Sequence, residues 1–297
     1  MATDVLPDVT RLLENLTPEQ NQKLERWARQ IQGLVHTAVQ SGGPAGQRMK
    51  NWLNGVWLGH PLHPALTDAT IGAWTTGTLL DIAGVPEAAD AAMTVGVMAA
   101  VPTALAGAAD WADTGEQPRP IGLVHAALNA VGLVCMIVSL FARRAERRAL
   151  GFGLSITGLS LATISAWLGG QLVYHKGTNV SRVAFEPPVE DWQVVMRADA
   201  VPEGKLVGGE VKVNGTRVPI VMLKRGGNIM ALSGTCTHWG GPLAEGKLVE
   251  GDCVQCPWHG SQFRMADGSV RQGPASVPEN VFEVRITDGN VQVRRRG

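Results

Sequence analysis

The sequence predicts a multi-domain membrane protein with N-terminal amphipathic helices, a four-helix transmembrane bundle and a C-terminal all-β domain. Three observations support this organisation. Apolar residues are concentrated between about residue 62 and residue 174, helical periodicity precedes them, and alternation of apolar and polar residues follows them. The predicted parts are residues 1–57, residues 58–175, a linker at 176–189 and residues 190–297.

Helical periodicity marks residues 8–40 as an amphipathic helix. Thr17 is a suitable N-cap, Pro18 suits the first turn, and Gln20 completes a capping box. The apolar face of this helix can either lie on a bilayer surface or pack on the rest of the protein. It consists of Leu24, Trp27, Ile31 and Leu34.

Four apolar segments follow, each long enough to cross a hydrocarbon core of about 30 Å. Asp68 interrupts the first of them. Small residues recur at every fourth position of the second and fourth segments, a spacing that lets helices pack closely in lipid. The segments are residues 64–80, 88–109, 121–141 and 150–173, and the small residues are Gly96, Ala100, Ala104 and Ala108, then Gly158, Ala162, Ala166 and Gly170.

Composition argues against some classes of function. Lys plus Arg and Asp plus Glu number 26 each, so the net charge gives no reason to expect nucleic acid as a partner. Three of the four cysteines cluster near the C-terminus, which is typical of metal binding and not of a disulfide-stapled secreted domain. No signal peptide is predicted from the first residues.

The C-terminal region has the pattern of a small antiparallel β domain. Asn214-Gly215 and Asp288-Gly289 each separate two alternating segments, as in tight β-hairpins. Residues 176–189 connect this domain to the last apolar segment. Because so short a linker limits the reach of the chain, we expect the β domain to stay near the membrane surface.

Two cysteine–histidine pairs stand in the β domain, Cys236-Thr-His238 and Cys256-Pro-Trp-His259. Two thiolates and two imidazoles suit either a structural zinc ion or a Rieske [2Fe–2S] cluster, in which one iron takes the cysteines and the other the histidines. The segments "CTHWGGPL" and "CPWHGSQF" resemble the two cluster loops of the Rieske family, and "GPA" at 273–275 resembles its proline loop. The resemblance covers roughly residues 190–296 and implies a [2Fe–2S] cluster bound by these four residues.

The departures from the high-potential Rieske subtype are informative. Gly241 and Trp258 stand where that subtype has a second, bridging cysteine pair, and Phe263 stands where it has a tyrosine. Ser261 keeps the hydroxyl position. These differences predict a lower potential and a domain similar to Rieske ferredoxins or oxygenases. We interpret Cys253 as a strand residue and not as a fifth ligand.

The segment "GHPLHPALTDATIG" resembles an uncharacterised family of bacterial membrane domains marked by Gly-His-Pro-x-His-Pro, over roughly residues 55–178. If the chain crosses the bilayer four times, its histidines gather at one membrane face. They are candidates for ligands of haem b, for a single metal site, or for the wall of a quinone pocket. The structural alternative is that they cap helix ends. The histidines are His60, His63, His125 and His175, and the metal site would consist of His60, His63, His125 and Asp68.

Charges give contradictory signals about orientation. Arg48 and Lys50 before the first segment favour a cytoplasmic N-terminus, whereas "RRAERR" at 143–148 favours a cytoplasmic loop between the third and fourth segments. We expect the β domain to be cytoplasmic, because iron–sulfur assembly is cytoplasmic. Twin arginines in that loop offer the alternative of export of a folded domain.

The predicted function is that of a multi-pass cell-membrane Rieske protein that carries single electrons between a redox partner protein and a quinone or haem. As an electron-transfer subunit it would belong with the oxidoreductases, and a homo-oligomer is compatible with the sequence. A complete oxygenase is excluded by the lack of a further soluble domain for catalytic iron. The alternatives are a redox sensor or assembly protein whose cluster state controls docking, and an electron-supply component for an oxygenase.

Overall fold

The computed structural model describes residues 17–296, which form two compact units. One unit contains Leu62–Thr178 together with the described residues before Gln47, and the other contains Gln47–Pro61 together with the residues from Asn179 onward. The helices are α1 Pro18–Ser41, α2 Gly43–Leu53, α3 Leu62–Ile82, α4 Pro86–Ala112, α5 Pro118–Arg144 and α6 Arg148–Gly170, and a π-helical turn follows at Gln171–His175.

Helix α1 begins as predicted, with the capping box of Thr17 and Gln20 formed on both sides. The predicted residues 8–16 lie outside the described part of the chain. The helix packs on its unit through a polar edge, because Gln32 Nε2 donates to the carbonyl of Trp111 at 2.8 Å and His36 Nε2 lies 2.9 Å from the carbonyl of Ala112. The apolar residues Trp27, Ile31 and Leu34 therefore remain exposed.

Helices α4, α5 and α6, the last including the turn to His175, are long and apolar enough to cross a membrane by length and composition. The predicted four-helix bundle is present as α3–α6, but α3 does not meet the same criterion, so the count of four spans is approximate. Asp68, which interrupts the apolar run, is exposed on α3. Most of the surface of the three spans is unburied and carries large apolar side chains such as Met98, Leu105, Val134 and Phe141.

The small residues pack between helices, but the predicted spacing of four is only half correct. Ala104 and Ala166 are exposed, whereas Thr103 and Ser165 are buried in their place. The reason is geometric: steps of four residues drift around a helix of 3.6 residues per turn, and a step of three restores the face. The packed positions are Gly96, Ala100, Thr103 and Gly107 on α4, and Gly158, Ala162, Ser165 and Gly169 on α6.

The C-terminal unit is built on two antiparallel sheets. One has the strand order β1-β10-β9-β4-β3-β2 and the other the order β5-β6-β7-β8. Both predicted hairpins are confirmed, with positive φ at Asn214-Gly215 and at Asp288-Gly289. The strands are β1 Gln193–Arg197, β2 Leu206–Val213, β3 Thr216–Arg225, β4 Asn228–Ser233, β5 Lys247–Val249, β6 Cys253–Gln255, β7 Gln262–Arg264, β8 Val270–Gln272, β9 Val281–Thr287 and β10 Asn290–Arg295.

Candidate functional site

Two loops with the same backbone hydrogen bonds carry the cysteine–histidine pairs. In the loop between β4 and β5, Cys236 N donates to the carbonyl of Gly241 at 2.9 Å, and Gly240 N donates back to Cys236 at 2.8 Å. In the loop between β6 and β7, Cys256 N donates to Ser261 at 2.8 Å, and Gly260 N donates to Cys256 at 3.2 Å. Both donor glycines have positive φ, 81° and 77°, which favours glycine at this point of each loop.

The loops bring two thiols together on one side and two imidazoles on the other. Cys236 and Cys256 are 1% and 4% exposed, in the apolar cluster that includes Val254 and Phe263. The ring centroids of His238 and His259 lie 5.1 Å apart, with the rings nearly perpendicular. The four predicted ligands thus lie in one site, two by two.

The electrostatics of the site suit metal ligation. Cys236 and Cys256 share a hydrogen bond, which raises the pKa of Cys236 and lowers the pKa of Cys256 to about 6. Burial lowers the pKa of His238 to about 3, with further contributions from His259, Lys50 and Arg182. A thiolate and a neutral imidazole are the forms that bind metal.

A glycine keeps the space beside the thiols open. A Cβ atom at Gly241 would lie 2.7 Å from Cys256 Sγ and 3.1 Å from the Trp258 ring, so a side chain there would fill the site. Among residues 17–296, no three His, Cys, Asp or Glu side chains are placed to hold one metal ion. A two-iron cluster divides its four ligands between two irons, whereas a structural zinc needs all four on one ion. The geometry therefore favours the cluster.

The proline loop and Cys253 take the places that the sequence indicated. Ser261 Oγ accepts a hydrogen bond from Ala275 N at 2.9 Å, which leaves its hydroxyl hydrogen available to a cluster sulfur. Phe263 is fully buried behind the second loop. Cys253 is a buried residue of β6, and its thiol donates to the carbonyl of Gly251 at 3.5 Å.

Sequence reasoning missed the segment Gln47–Pro61, which lies against the proline loop within the same unit. Asn51 Oδ1 accepts a hydrogen bond from Gly273 N at 3.1 Å. Lys50, on the same turn of helix, is only 8% exposed and contributes a positive charge near His238. No local sequence signal could have shown this contact, because Asn51 and Gly273 are 222 residues apart.

A second feature that the sequence did not indicate supports the first loop. The buried carboxyl group of Glu279 accepts a hydrogen bond from Thr237 N at 2.6 Å. Thr237 stands between the two ligands of that loop, Cys236 and His238. Arg182 N donates to the carbonyl of Thr237 at 3.0 Å, and its guanidinium lies 4.6 Å from the centroid of the Trp239 ring. These contacts fix the loop from both sides.

The candidate membrane residues are only partly brought together. His63 and His125 lie close, with ring centroids 6.2 Å apart. Asp68 and His175 are exposed in the same unit, and His60 is an exposed residue of the other unit. For these residues, the function of the site stays a prediction.

Comparison with known families finds a match for the helical part and a match for the β domain. The Rieske [2Fe–2S] domain family matches residues 191–286, and the family described as "Predicted membrane protein (DUF2231)" matches residues 59–182. The chain belongs to the Rieske [2Fe–2S] family and carries the DUF2231 domain on the N-terminal side. It is a Rieske iron–sulfur electron-transfer protein with a predicted membrane domain.

The similar proteins each match about a quarter to a third of this chain. Ferredoxin CarAc of Metapseudomonas resinovorans is 39% identical over 75 residues, which are 25% of this chain and 69% of the ferredoxin. The anthranilate 1,2-dioxygenase ferredoxin subunit of Burkholderia cepacia is 35% identical over 25% of this chain and 68% of its own length. The cytochrome b6-f complex iron–sulfur subunit of Chlorobaculum tepidum is 28% identical over 36% of this chain, and the match spans only 58% of that subunit.

Among solved structures, a complex of reduced oxygenase and oxidized ferredoxin in carbazole 1,9a-dioxygenase contains a chain with 33% identity. The match covers 35% of this chain and 92% of that chain, with a TM-score of 0.31. Because these matches cover at most 36% of this chain, the partners of the whole protein do not follow from theirs.

Proposed function

We propose that the chain is a membrane-anchored Rieske electron carrier whose cluster is held by Cys236, His238, Cys256 and His259. It passes single electrons between a redox partner protein and a quinone or haem in the membrane. The observation that carries this proposal is the pair of matching loops that hold two buried thiols together and two imidazoles 5.1 Å apart. When bound, the cluster supplies one-electron chemistry at a potential raised by its two neutral imidazole ligands.

The residues around the ligands set the conditions for electron transfer. The apolar cluster behind the thiols excludes water from the cysteine side. His259 is partly exposed and its neighbour Trp258 is about half exposed, whereas His238 is buried, so the His259 edge of the site lies nearest to the surface. Electrons would therefore enter and leave through His259, because the cysteines and His238 are covered by protein.

The helical unit supports the anchoring part of the proposal. Helices α4–α6 present large apolar side chains outward over most of their surface. Water would solvate such a surface poorly, whereas lipid tails would cover it at no such cost. The exposed apolar face of α1 suits the same environment at the interface, as an amphipathic helix lying on the bilayer.

We place the Rieske domain on the cytoplasmic side. The contradictory charge signals at 143–148 are weakened because Arg143 and Arg148 form ion pairs with Asp81 and Asp90 inside the helical unit. Charges that are neutralised in this way do not count fully toward the positive-inside preference. Labelling of a single exposed cysteine in place of Lys212 with a membrane-impermeant maleimide, in intact and in lysed cells, tests this side.

A second candidate function is electron supply to an oxygenase. It is favoured by the identity with CarAc and with the anthranilate 1,2-dioxygenase ferredoxin subunit, both named as ferredoxins. In this case the partner protein accepts the electron, and the membrane domain serves for attachment.

The test is reduction of the purified full chain in lipid nanodiscs by a quinol analogue or by a soluble ferredoxin reductase. Rapid bleaching of the cluster by the quinol analogue supports exchange with the membrane. Bleaching only by the soluble reductase supports the second candidate. A cluster that neither donor reduces would contradict both and favour a redox sensor.

A further inference from the structure

The helical unit contains two copies of one helical hairpin, offset by sixty-two residues. The sequence "HPAL" at 63–66 matches "HAAL" at 125–128. The pattern Gly-x3-Ala-x2-Thr/Ser-Ala-x2-Gly occurs at 96–107 and again at 158–169. Each element of the pair α3–α4 therefore has a counterpart in the pair α5–α6.

The turns between the two helices of each hairpin have the same geometry. Val85 N donates to the carbonyl of Leu80 at 2.9 Å, and Arg147 N donates to Ala142 at 2.9 Å. The second hydrogen bond of each turn also matches: Gly84 N donates to the carbonyl of Asp81, and Glu146 N donates to that of Arg143, both at 3.1 Å. This is the Schellman pattern, which needs a residue with positive φ. Gly84 supplies it in the first copy and Glu146 in the second, with φ of 74° and 61°.

The two histidines are equivalent residues of this repeat and make equivalent contacts. His63 Nδ1 donates to the carbonyl of Thr103 at 2.9 Å, and His125 Nδ1 donates to the carbonyl of Ser165 at 2.7 Å; each bond spans 40 residues. A glycine of the repeated pattern lies beside each ring. A Cβ at Gly107 would come within 2.8 Å of His63, and one at Gly169 within 3.4 Å of His125.

The repeat also defines how the copies are arranged in a membrane. Each copy has two helices, so both copies begin on the same side and are related by an axis along the membrane normal. Helix α3 is then the counterpart of α5, which is apolar enough to span, and the repeat implies that α3 would cross in the same direction. In that arrangement His63 and His125 would lie at the same depth in the membrane, one from each copy.

We propose that His63 and His125 are the two axial ligands of one haem, bound on this axis between the hairpins. A carbonyl oxygen can only accept, so each Nδ1 carries the hydrogen and each Nε2 keeps its lone pair. Metal-binding histidines typically donate their other N–H to such a group. With metal–nitrogen distances of about 2.0–2.1 Å, two imidazoles on opposite faces of one iron have centroids roughly 6.3 Å apart. The observed separation is 6.2 Å.

The donor set favours haem over the other candidate ligands. No third His, Cys, Asp or Glu side chain in the described chain joins this pair to hold a metal ion, whereas a tetrapyrrole brings four nitrogens of its own. A quinol held through both hydroxyls would need the imidazoles farther apart, because its ring lies between them. Asn129 Nδ2 donates to His125 Nε2 at 3.2 Å, so this bond must be exchanged for the iron.

This inference rests on the proposed function and names its membrane redox centre. The test is titration of the purified full chain in mild detergent with haemin, followed by oxidised and reduced optical spectra. We expect about one low-spin haem per chain. His63→Gln and His125→Gln should each abolish the low-spin spectrum, His63→Met should retain a haem with shifted bands, and Asn129→Leu should bind haemin several-fold more tightly.

The control is His36→Gln, a histidine of the same unit that lies outside this pair, and it should bind haemin as the unchanged chain does. Iron–sulfur absorption in the same samples reports on folding and on the proposed function separately. A chain with an intact cluster that binds no low-spin haem would overturn the inference and leave the carrier function standing. Quinol-dependent reduction that is lost in His63→Gln, without any haem, would assign the pair to a quinol instead. Loss of the cluster itself would contradict the proposed function.

Discussion

Arg143 and Asp81 form an ion pair inside the helical unit, with 2.5 Å between Nη2 and Oδ2. Their side chains are 0% and 4% exposed. The two residues are 62 positions apart, so they occupy the same place in the two copies of the repeated hairpin. Asp90 and Arg148 join the pair, and the four charges connect the ends of α3, α4, α5 and α6. The equivalent positions of the two copies thus carry opposite charges, Asp81 in the first and Arg143 in the second, and these charges pair with each other.

Removing one partner of this pair should destabilise the bundle strongly. Arg143→Leu leaves the buried carboxylate of Asp81 with the partly exposed Arg148 as its remaining partner, so the cost should lie near the lower end of the range of about 3–5 kcal/mol for breaking a buried pair. The exchanged variant Asp81→Arg with Arg143→Asp should recover part of that loss. Thermal unfolding in detergent measures both, and Arg144→Leu is the control because Arg144 is exposed. A single variant as stable as the control would show that the pair does not hold the helices together.

A glycine in place of Glu146, in the turn between α5 and α6, should make the protein more stable. Glu146 has φ of 61°, in the left-handed region, where its counterpart in the first hairpin is Gly84. A non-glycine residue there costs about 1–2 kcal/mol. We therefore expect Glu146→Gly to raise the free energy of unfolding by about 1 kcal/mol and Gly84→Ala to lower it by a similar amount. A lower melting temperature for Glu146→Gly would contradict the Schellman assignment.

Lys50 should raise the reduction potential of the cluster. Its buried charge lies near His238, and a nearby cation stabilises the added electron. Lys50→Met should make reduction several-fold less favourable, where a tenfold change corresponds to about 59 mV for one electron. Lys50→Arg should keep the potential, and Lys212→Met on an exposed strand position is the control. Equal potentials in all four proteins, measured by spectroelectrochemical titration, would remove Lys50 from the account.

Glu186 should make the stability of the Rieske domain pH-dependent. Burial raises its pKa, although Ser233 Oγ donates to it at 2.9 Å and Arg295 opposes the shift. A carboxyl group with a raised pKa contributes stability that is present below its unfolded pKa of about 4.3 and is lost as the pH rises through the folded value. Glu186→Gln should remove that loss.

Denaturant melts of both proteins at a series of pH values test this. The difference in unfolding free energy between variant and parent should shift in favour of the variant with rising pH. A difference that is constant from pH 4 to pH 8, or one that runs the opposite way, would contradict the raised pKa.

Local patterns in the sequence were sufficient for much of the fold. The capping box of Thr17 and Gln20, the hairpin at Asn214 and the pairing of β6 with β7 around Cys256 depend on residues close together in the chain. Such interactions are decided by short-range geometry. The same applies to the two cluster loops, where each cysteine bonds to a residue five positions later.

The rest depended on contacts that no local pattern encodes. The bond of Asn51 to Gly273 spans 222 residues, and that of Glu279 to Thr237 spans 42. The histidines were expected as one group, but α3 begins at Leu62, so His60 precedes the helix and belongs to the other unit. The small residues that pack between helices are spaced by four, three and four residues, and not by four throughout. A helix of 3.6 residues per turn needs this alternation to keep the residues on one face.

The most direct test of the central claim is the iron and acid-labile sulfide content of the purified full chain, measured with its zinc content on one sample. A Rieske site predicts two irons and two sulfides per chain. His259→Ser and Cys256→Ser should lose both, whereas Cys253→Ser should keep them. One zinc per chain without labile sulfide, or an unchanged cluster in His259→Ser, would contradict the assignment of these ligands.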